Sequence, residues 1–329
     1  MTHGLNRRTT LSQPSFAAHI LRNSMHGDVT KLNCSKVRTA ASINKDIDHS
    51  ACPSAEEASS LKKEQAHYRT DVGKLLFLCR LTRPDLNFNV SRLGQFASNP
   101  GKKHFNELLH LLKFLCNTQK LGVSYCKKAK CPFLVRSNAV NGDKVYDLVM
   151  PRSWSDADWG GEVTSRASRS AFLIEWLGAA LIWGSEKQAC ISLSTTEAEL
   201  VAMSRCMQEV IFLRKLMLVF LFKLAPTFLF CDNRGALALV KNNVHHKRTK
   251  HIDIRYFFVR LEENTNKSVI TAYAPTFWML ADSLTKAVDE ITTSDHRFLI
   301  LGMDLVNGEI VFAQQFHPKS RLTTPMSIE

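Results

Sequence analysis

The chain has 329 residues, of which 45% are hydrophobic and 9% aromatic. This length and composition allow two folded domains with buried cores and exclude a disordered chain. A net charge of +13, from 43 Lys and Arg residues against 30 Asp and Glu residues, favours nucleic acid over a membrane as the partner, with a basic surface that binds nothing as the alternative.

The cysteines and the apolar runs predict a soluble protein of a reducing compartment. Nine cysteines are scattered, and the lone CxxxxC at Cys126 and Cys131 lacks the second pair that a zinc site needs. The first ten residues contain no apolar signal core. The most apolar window begins at Val210 and is interrupted by charged residues and a proline, so we expect no membrane partner.

The first 125 residues are predicted to be mainly helical. "LSQPSFAAHIL" has helical apolar spacing and is followed by a polar connector. From Tyr68 to Tyr125 the apolar spacing is again helical, with Pro84 and Pro100 as stops between helices. Residues 126–148 are predicted to be a hairpin or a linker.

Short apolar runs then predict a mixed α/β sheet. The strand candidates "AFLIEWL", "ALIWGS" and "ACISLS" precede a long helix, and "PTFLFCD" is the next strand. A helix "GALALVKN", a basic loop "HHKRTKH", another helix, the strand "SVITAYA" and a last helix near "LADSLTK" follow. Strands followed by alternating helices and strands are typical of a mixed sheet with helices packed on it.

Four acids stand at the ends of these predicted elements: Asp156, Glu199, Asp232 and Asp282. Carboxylates without histidine or cysteine ligands favour hard ions such as magnesium or manganese. Taken singly, each acid is more often a surface residue or a helix cap. Asp232 differs because it ends an apolar strand, at the sheet edge where α/β proteins place their ligands.

Two glutamates in "SLSTTEAELVAM" compete for a place in this site. Steps of three and four from Glu199 give an apolar stripe: Met203, Cys206, Val210, Leu213, Met217 and Phe220. The same steps from Glu197 give a mostly polar face, and Glu197 stands three residues after Ser194, as in a capping box. We therefore assign Glu199 to the site and Glu197 to the helix end.

These segments resemble the Pol polyprotein of copia-type retrotransposons. The resemblance rests on "SDADWGG", "WGSEKQACISLSTTEAEL", "FCDNRGALALVKN", "HKRTKHIDIRYFFVR" and "LADSLTK", in the family's order and spacing. Upstream, "YRTDVGKLLFL" and "TRPDLNFNVSRLGQFASNP" resemble the segment after the polymerase palm. The resemblance implies a helical reverse-transcriptase remnant (thumb or connection-like) at 1–125, a linker at 126–148, a ribonuclease H-like domain at 149–316 and a tail at 317–329.

The implied fold class is α/β, a ribonuclease H-like mixed five-stranded sheet flanked by helices and preceded by a smaller mainly helical segment. The implied activity is hydrolysis of the RNA strand of RNA:DNA hybrids by two Mg²⁺ ions, with Mn²⁺ as a substitute. The family's catalytic and metal-binding acids fall on Asp156, Glu199, Asp232 and Asp282, with Asp156 as the bridging ligand and Asp158 outside the ligand set. The resemblance also implies the rest of a Pol polyprotein as a partner, and no small-molecule substrate. The implied location is the cytoplasm (virus-like particle) or the nucleus.

The basic run that follows the strand-end acids is a candidate nucleic-acid contact. It comprises Lys247, Arg248, Lys250 and Arg255. Phosphate contacts from such residues position a protein on nucleic acid. The alternative is a helix entry with solvated charges.

The sequence also departs from the family. No YxDD-type polymerase motif occurs, so we expect a fragment without polymerase activity. Phe277 and Trp278 replace acids, Phe257 replaces histidine and Asn243 replaces proline. These changes leave a second hypothesis open, a catalytically silent nucleic-acid-binding remnant of a decayed or domesticated element. The order of the four acids disfavours an integrase-type nuclease.

Overall fold

The computed structural model describes residues 8–42, 47–126, 150–162, 165–220, 225–241, 250–302, 305–306 and 309–310. The described chain forms a mainly helical unit, between residues 8 and 126, and an α/β unit, between residues 150 and 310, which contact each other. Apart from Cys126, the predicted linker lies outside the described residues, as does the predicted tail.

The helical unit packs helices around one apolar core. Its elements are β1 (Arg8–Ser12), α1 (Pro14–Arg22), α2 (Ala55–Ser60), α3 (Lys62–Leu81), α4 (Asn87–Gly94), α5 (Lys102–Thr118) and β2 (Gly122–Cys126), with single 3-10 turns at Val29–Lys31, His49–Ala51 and Pro84–Leu86. Pro14 opens α1, where its missing N–H leaves no hydrogen bond unmade. Ser54 and Glu57 form a capping box on α2. Ile20, Leu75 and Leu108 join α1, α3 and α5 in the core.

The helical unit also contains a two-stranded ribbon, which the sequence did not predict. β1 pairs antiparallel with β2, with Arg8 opposite Cys126 and Ser12 opposite Gly122. The hydroxyl oxygens of Thr10 and Ser124 lie 2.8 Å apart across the ribbon. Each strand has only five residues and its partner is distant in the chain, so local periodicity could not reveal the pairing.

The α/β unit is built on one mixed sheet. Its elements are β3 (Arg152–Asp158), β4 (Arg169–Trp176), β5 (Ala179–Lys187), α6 (Thr195–Val219), β6 (Thr227–Cys231), α7 (Arg234–Lys241), α8 (Lys250–Arg260, continued by a π-helical turn at Leu261–Thr265), β7 (Val269–Tyr273), a 3-10 turn at Thr276–Trp278, α9 (Asp282–Thr285), α10 (Glu290–Leu301), β8 (Leu305–Val306) and β9 (Glu309–Ile310). The sheet has five strands in the order β5-β4-β3-β6-β7. β3 pairs antiparallel with β4 and parallel with β6. The predicted ribonuclease H-like fold class is confirmed.

Apolar side chains cover both faces of this sheet. On one face, Trp154 and Phe230 pack with Trp278 and Ile300. On the other, Phe172 packs with the buried side chains of α6. The predicted α6 stripe is buried from Met203 to Met217, but Phe220, just beyond the helix, is 64% exposed.

Two predicted elements differ from the structure. "ACISLS" is not a strand, because its polar groups form other hydrogen bonds. The Trp159 indole donates to the Ser192 carbonyl at 2.9 Å, and the Ser194 side chain caps α6. The predicted last helix is the four-residue α9, and α10 follows it. Asp289 caps α10, so the Asp289 in "VDEITT" is the start signal of this second helix.

The helical unit lies against the α/β unit at the β5 side of the sheet. The Trp183 indole on β5 donates to the Cys79 carbonyl at 3.1 Å, and the Ser91 hydroxyl donates to the Ser185 carbonyl at 3.0 Å. The Tyr125 hydroxyl donates to the Ala180 carbonyl at 2.7 Å, which joins the ribbon to β5. Within the described ranges, no helix combines the length and apolar character needed to cross a bilayer.

Candidate metal centre

Asp156 and Asp232 stand on neighbouring parallel strands. Asp156 lies on β3, the central strand, and is 3% exposed. Asp232 follows β6 directly and is half-buried. Because β3 and β6 run parallel, their carboxyl ends meet at one sheet edge. This explains how two acids far apart in sequence become neighbours.

Helices bring the other two acids to the same edge. Glu199 lies in the second turn of α6, and its Oε1 accepts a hydrogen bond from the Ala157 N–H at 3.4 Å. Asp282 is the first residue of α9 and is 3% exposed. All four predicted acids therefore converge at the ends of β3 and β6.

The acids form two overlapping groups that could hold a cation. Asp156, Asp232 and Asp282 each offer an oxygen within 4.8 Å of the others, and so do the ligand atoms of Glu199, Cys231 and Asp232. Asp232 belongs to both groups, whereas the resemblance implies that Asp156 bridges two ions. We call these five residues the acid cluster. Its ligand atoms are oxygens apart from the thiol sulfur of Cys231, a donor set that suits hard divalent ions.

Neighbouring hydroxyls and one ammonium group hold these carboxylates. The Thr285 hydroxyl donates to Asp156 Oδ2, and the Thr276 hydroxyl donates to Asp232 Oδ2 at 2.9 Å. The Lys286 ammonium lies 3.0 Å from Asp282 Oδ1, one helical turn away. These contacts fix the orientation of three of the acids.

The electrostatics of the cluster favour a bound cation. Burial, followed by the charges of Asp156 and Asp232, raises the pKa of Glu199 well above its ordinary value. Burial and the charge of Asp156 raise the pKa of Asp282 to about 8, although Lys286 acts in the opposite direction. Burial and Asp156 also raise the pKa of Asp232. Like charges crowded out of water oppose ionisation, and a divalent ion would relieve that cost.

Sequence reasoning did not identify Cys231, Thr276, Thr285 and Lys286 as members of the site. For Lys286, burial disfavours the charged ammonium, but the charges of Asp156 and Asp282 outweigh it and raise the pKa overall. An i,i+4 acid–lysine pair in "LADSLTK" was a readable signal for Lys286. No local pattern marked the two threonines, because their acid partners lie far away in the chain.

Glu197 contacts the helix start and not the acid cluster. Its Oε2 accepts from the Leu193 N–H at 2.8 Å, and its own N–H donates to Ser194 Oγ at 3.1 Å. Exposure does not separate the glutamates, since Glu197 is 9% and Glu199 5% exposed. The hydrogen bonds do, and they match the assignment made from the apolar stripe.

The predicted nucleic-acid contacts are only partly visible. Lys247 and Arg248 lie outside the described residues, and only the backbone of Lys250 is described, at the start of α8. Arg255 is partly exposed, and its guanidinium lies 3.5 Å from Cys190 Sγ, in the loop before α6. The proposed role of these residues stays a prediction.

Comparison with known proteins identifies relatives over most of the chain. No protein-family model matches. The chain is 30% identical over 284 residues to the "Retrovirus-related Pol polyprotein from transposon TNT 1-94" of Nicotiana tabacum, covering 86% of this chain and 19% of that protein. It is 31% identical to the Pol polyprotein from transposon RE1 of Arabidopsis thaliana, covering 68% of this chain and 14% of that protein. The chain thus spans less than a fifth of these polyproteins.

A short relative and a solved structure complete the comparison. The "Secreted RxLR effector protein 161" of Plasmopara viticola is 34% identical over 146 residues, which cover 44% of this chain and 90% of that protein. Among solved structures, LC11-RNase H1 matches 41% of this chain and 92% of its own, at 13% identity and a TM-score of 0.32. The fold class given above rests on the strand order and not on this match.

Proposed function

The chain belongs to the retrovirus-related Pol polyproteins of copia-type transposons, and we propose on this basis that its α/β unit is a ribonuclease H. Its substrate would be the RNA strand of an RNA:DNA hybrid. The observation that carries the proposal is the convergence of Asp156, Asp232 and Asp282, whose carboxylate oxygens lie within 4.8 Å of one another.

Asp156, Glu199, Asp232 and Asp282 would hold two divalent ions, Mg²⁺ or Mn²⁺. Buried carboxylates with raised pKa values and oxygen donors fit such ions. When bound, the ions would stabilise the attacking and leaving oxygens during in-line displacement at an RNA phosphate.

The protein's own contribution is preorganisation. The hydroxyls of Thr285 and Thr276 donate to the carboxylates of Asp156 and Asp232 and restrain their orientation. The Ala157 N–H restrains Glu199 from the end of β3. Ligands held in this way lose little freedom on metal binding, which supports a precise site.

Selection of a hybrid would depend on the minor groove, where 2′-hydroxyls distinguish the RNA strand from DNA. Lys247, Arg248, Lys250 and Arg255 remain the proposed phosphate contacts. The rest of a Pol polyprotein is the proposed protein partner, because the chain spans only a small part of its relatives. We place the activity in the cytoplasm, in a virus-like particle, or in the nucleus.

One observation favours the second candidate, a silent nucleic-acid-binding remnant. The Lys286 ammonium already lies 3.0 Å from Asp282 Oδ1 and neutralises part of the acid cluster without an ion. A protein that kept its basic surface but used Lys286 as a permanent counter-ion would bind nucleic acid and leave it intact.

A panel of labelled substrates tests the proposal. The purified chain is incubated with Mg²⁺ and an RNA:DNA hybrid labelled on the RNA or on the DNA, with double-stranded DNA and single-stranded RNA as controls. We expect cleavage of the RNA in the hybrid alone, and none in EDTA. A folded chain that binds the hybrid and cleaves no substrate in Mg²⁺ or Mn²⁺ would favour the silent remnant.

A further inference from the structure

A cleft of about 210 Å³ lies between the helical unit and the α/β unit. One wall comes from α4 and the chain near Ile47, and includes Phe88 and Arg92. The other wall comes from the start of β4 and from the turn after β3, and includes Arg169. Neither unit alone forms this cleft.

Arg169 is a buried cation that lines the cleft and is held mainly by hydroxyl groups. It is only 9% exposed, and its Nη1 donates to Ser91 Oγ at 3.0 Å and to Ser185 Oγ at 3.2 Å. The guanidinium also lies 5.7 Å from the centre of the Phe88 ring. Across the described part of the chain, no carboxylate forms an ion pair with it. A buried charge without a counter-ion is costly, so this arrangement favours an anion in the cleft.

The other cations of the cleft add to its positive potential. Burial and the charge of Arg92 lower the pKa of Arg169 to about 10. Lys187 and Lys286 also line the cleft. Glu162 is paired with Lys187, and the Asp48 carboxylate caps a turn by accepting from Ser50. Asp158 also lines the cleft, so the lining holds four cations, Arg92, Arg169, Lys187 and Lys286, against three carboxylates, and its net charge is positive.

The cleft opens beside the acid cluster. Thr285 and Lys286 line it, and the same two side chains contact Asp156 and Asp282. Successive phosphates of one nucleic-acid strand recur about every 3.4 Å of helix axis. A strand that presents one phosphate to the acids therefore brings further phosphates toward this cleft.

We propose that the cleft between the units binds a backbone phosphate of the nucleic acid, with Arg169 as its main ligand and Ser91 of the helical unit as the residue that positions Arg169. The planar guanidinium suits bidentate contact with phosphate oxygens. The helical unit then contributes to substrate binding through a built site and not through diffuse charge. This inference rests on the proposed hybrid substrate but not on cleavage of it.

The test is the salt dependence of binding, measured in EDTA with the full chain. Binding of a fluorescent RNA:DNA hybrid is followed by anisotropy at several salt concentrations. Loss of one phosphate contact reduces the slope of log K against log [salt] by about 0.7 to 0.9. We expect that reduction, with weaker binding at low salt, in Arg169→Gln, and a nearly unchanged slope in Arg169→Lys, which keeps the charge but loses the fork.

Arg205→Gln is the matched control. Arg205 lies on α6, across the sheet from the cleft, and is already paired with Glu186 and Glu209. Its loss should leave the slope unchanged. Melting temperatures are measured first, and if Arg169→Gln does not fold, Arg92→Gln replaces it with the same reduction expected.

Two outcomes would overturn the inference. The first is an unchanged slope in a folded Arg169→Gln or Arg92→Gln variant. The second combines two results: inorganic phosphate alone raises the melting temperature of the wild-type chain but not of the variant, and the salt slope for the hybrid is the same in both. That result would describe a site for free phosphate. An Arg169-dependent slope in a chain that cleaves nothing would support this inference and contradict the ribonuclease proposal.

Discussion

Glu197 and Glu199 are both buried, and their different hydrogen bonds predict different consequences of losing each charge. Glu199 shares the acid cluster with Cys231 and Asp232, whereas Glu197 is bound to the backbone at the start of α6. The pair is a matched test of the site, since the same substitution can be made two residues apart.

Glu199→Gln is expected to reduce hybrid cleavage by about 100-fold or more, because it removes a carboxylate from the set proposed to hold the ions. Glu197→Gln is expected to retain most activity and to lower the free energy of unfolding by at most about 1 kcal/mol through the cap. Single-turnover cleavage and urea unfolding measure the two effects. Equal loss of activity in both variants would show that the glutamates were assigned wrongly.

Asp282 predicts how stability depends on pH when no ion is present. Its pKa is raised from 3.8 to about 8 in the folded chain. Between these values the folded protein keeps a proton that the unfolded chain has released, so the free energy of unfolding falls as pH rises. We expect the melting temperature in EDTA to decline from pH 5 to pH 8, and to decline less in Asp282→Asn.

Added Mg²⁺ should reverse this trend, because the ion binds the ionised carboxylates and displaces their protons. The stabilisation by Mg²⁺ should be larger at pH 8 than at pH 5. A melting temperature that is flat across this range in EDTA, or equally raised by Mg²⁺ at both pH values, would contradict the electrostatic description of the cluster.

At the scale of elements, the segment before α9 depends on one aromatic side chain more than on its neighbour. Trp278 is 1% exposed and packs in the core with Trp154 and Phe230, whereas Phe277 is 38% exposed. Of these two aromatics, only Trp278 is fully packed. The 3-10 turn explains the difference, because adjacent residues in it point to different sides.

Trp278→Ala should therefore cost about 3–5 kcal/mol in the free energy of unfolding, and Phe277→Ala less than about 1 kcal/mol. Urea unfolding provides the measurement. Hybrid affinity at 25 °C should be nearly unchanged in Phe277→Ala. If its affinity falls while its stability does not, Phe277 belongs to the path of the substrate.

The sequence predicted elements whose signals are local and failed on those that depend on distant partners. The α6 stripe and the strand before Asp232 were readable, because periodicity and a strand-end acid lie within one segment. The β1–β2 ribbon was not readable, since residues far apart in the chain form it. The same holds for the bonds from Thr276 to Asp232 and from Ser91 to Arg169.

At the scale of the whole molecule, the two units meet at the β5 side of the sheet and form one cleft between them. The helical unit covers the β5 side of the sheet and lines the cleft that reaches Lys286. Part of the net charge of +13 is therefore located beside the acid cluster, in the cations that line the cleft. In the two proposals, activity would depend on the acids and binding of the hybrid on Arg169.

The central claim is that the acid cluster makes the chain a ribonuclease, and Asp232 tests it most directly because it belongs to both candidate metal groups. The measurement is the single-turnover rate of RNA cleavage in an RNA:DNA hybrid with Mg²⁺, for the wild-type chain and for Asp232→Asn. We predict cleavage by the wild type, and a loss of about 100-fold or more in the variant with hybrid binding and melting temperature retained. Equal rates in the two proteins, or no cleavage by a folded wild-type chain that binds the hybrid, would contradict the claim.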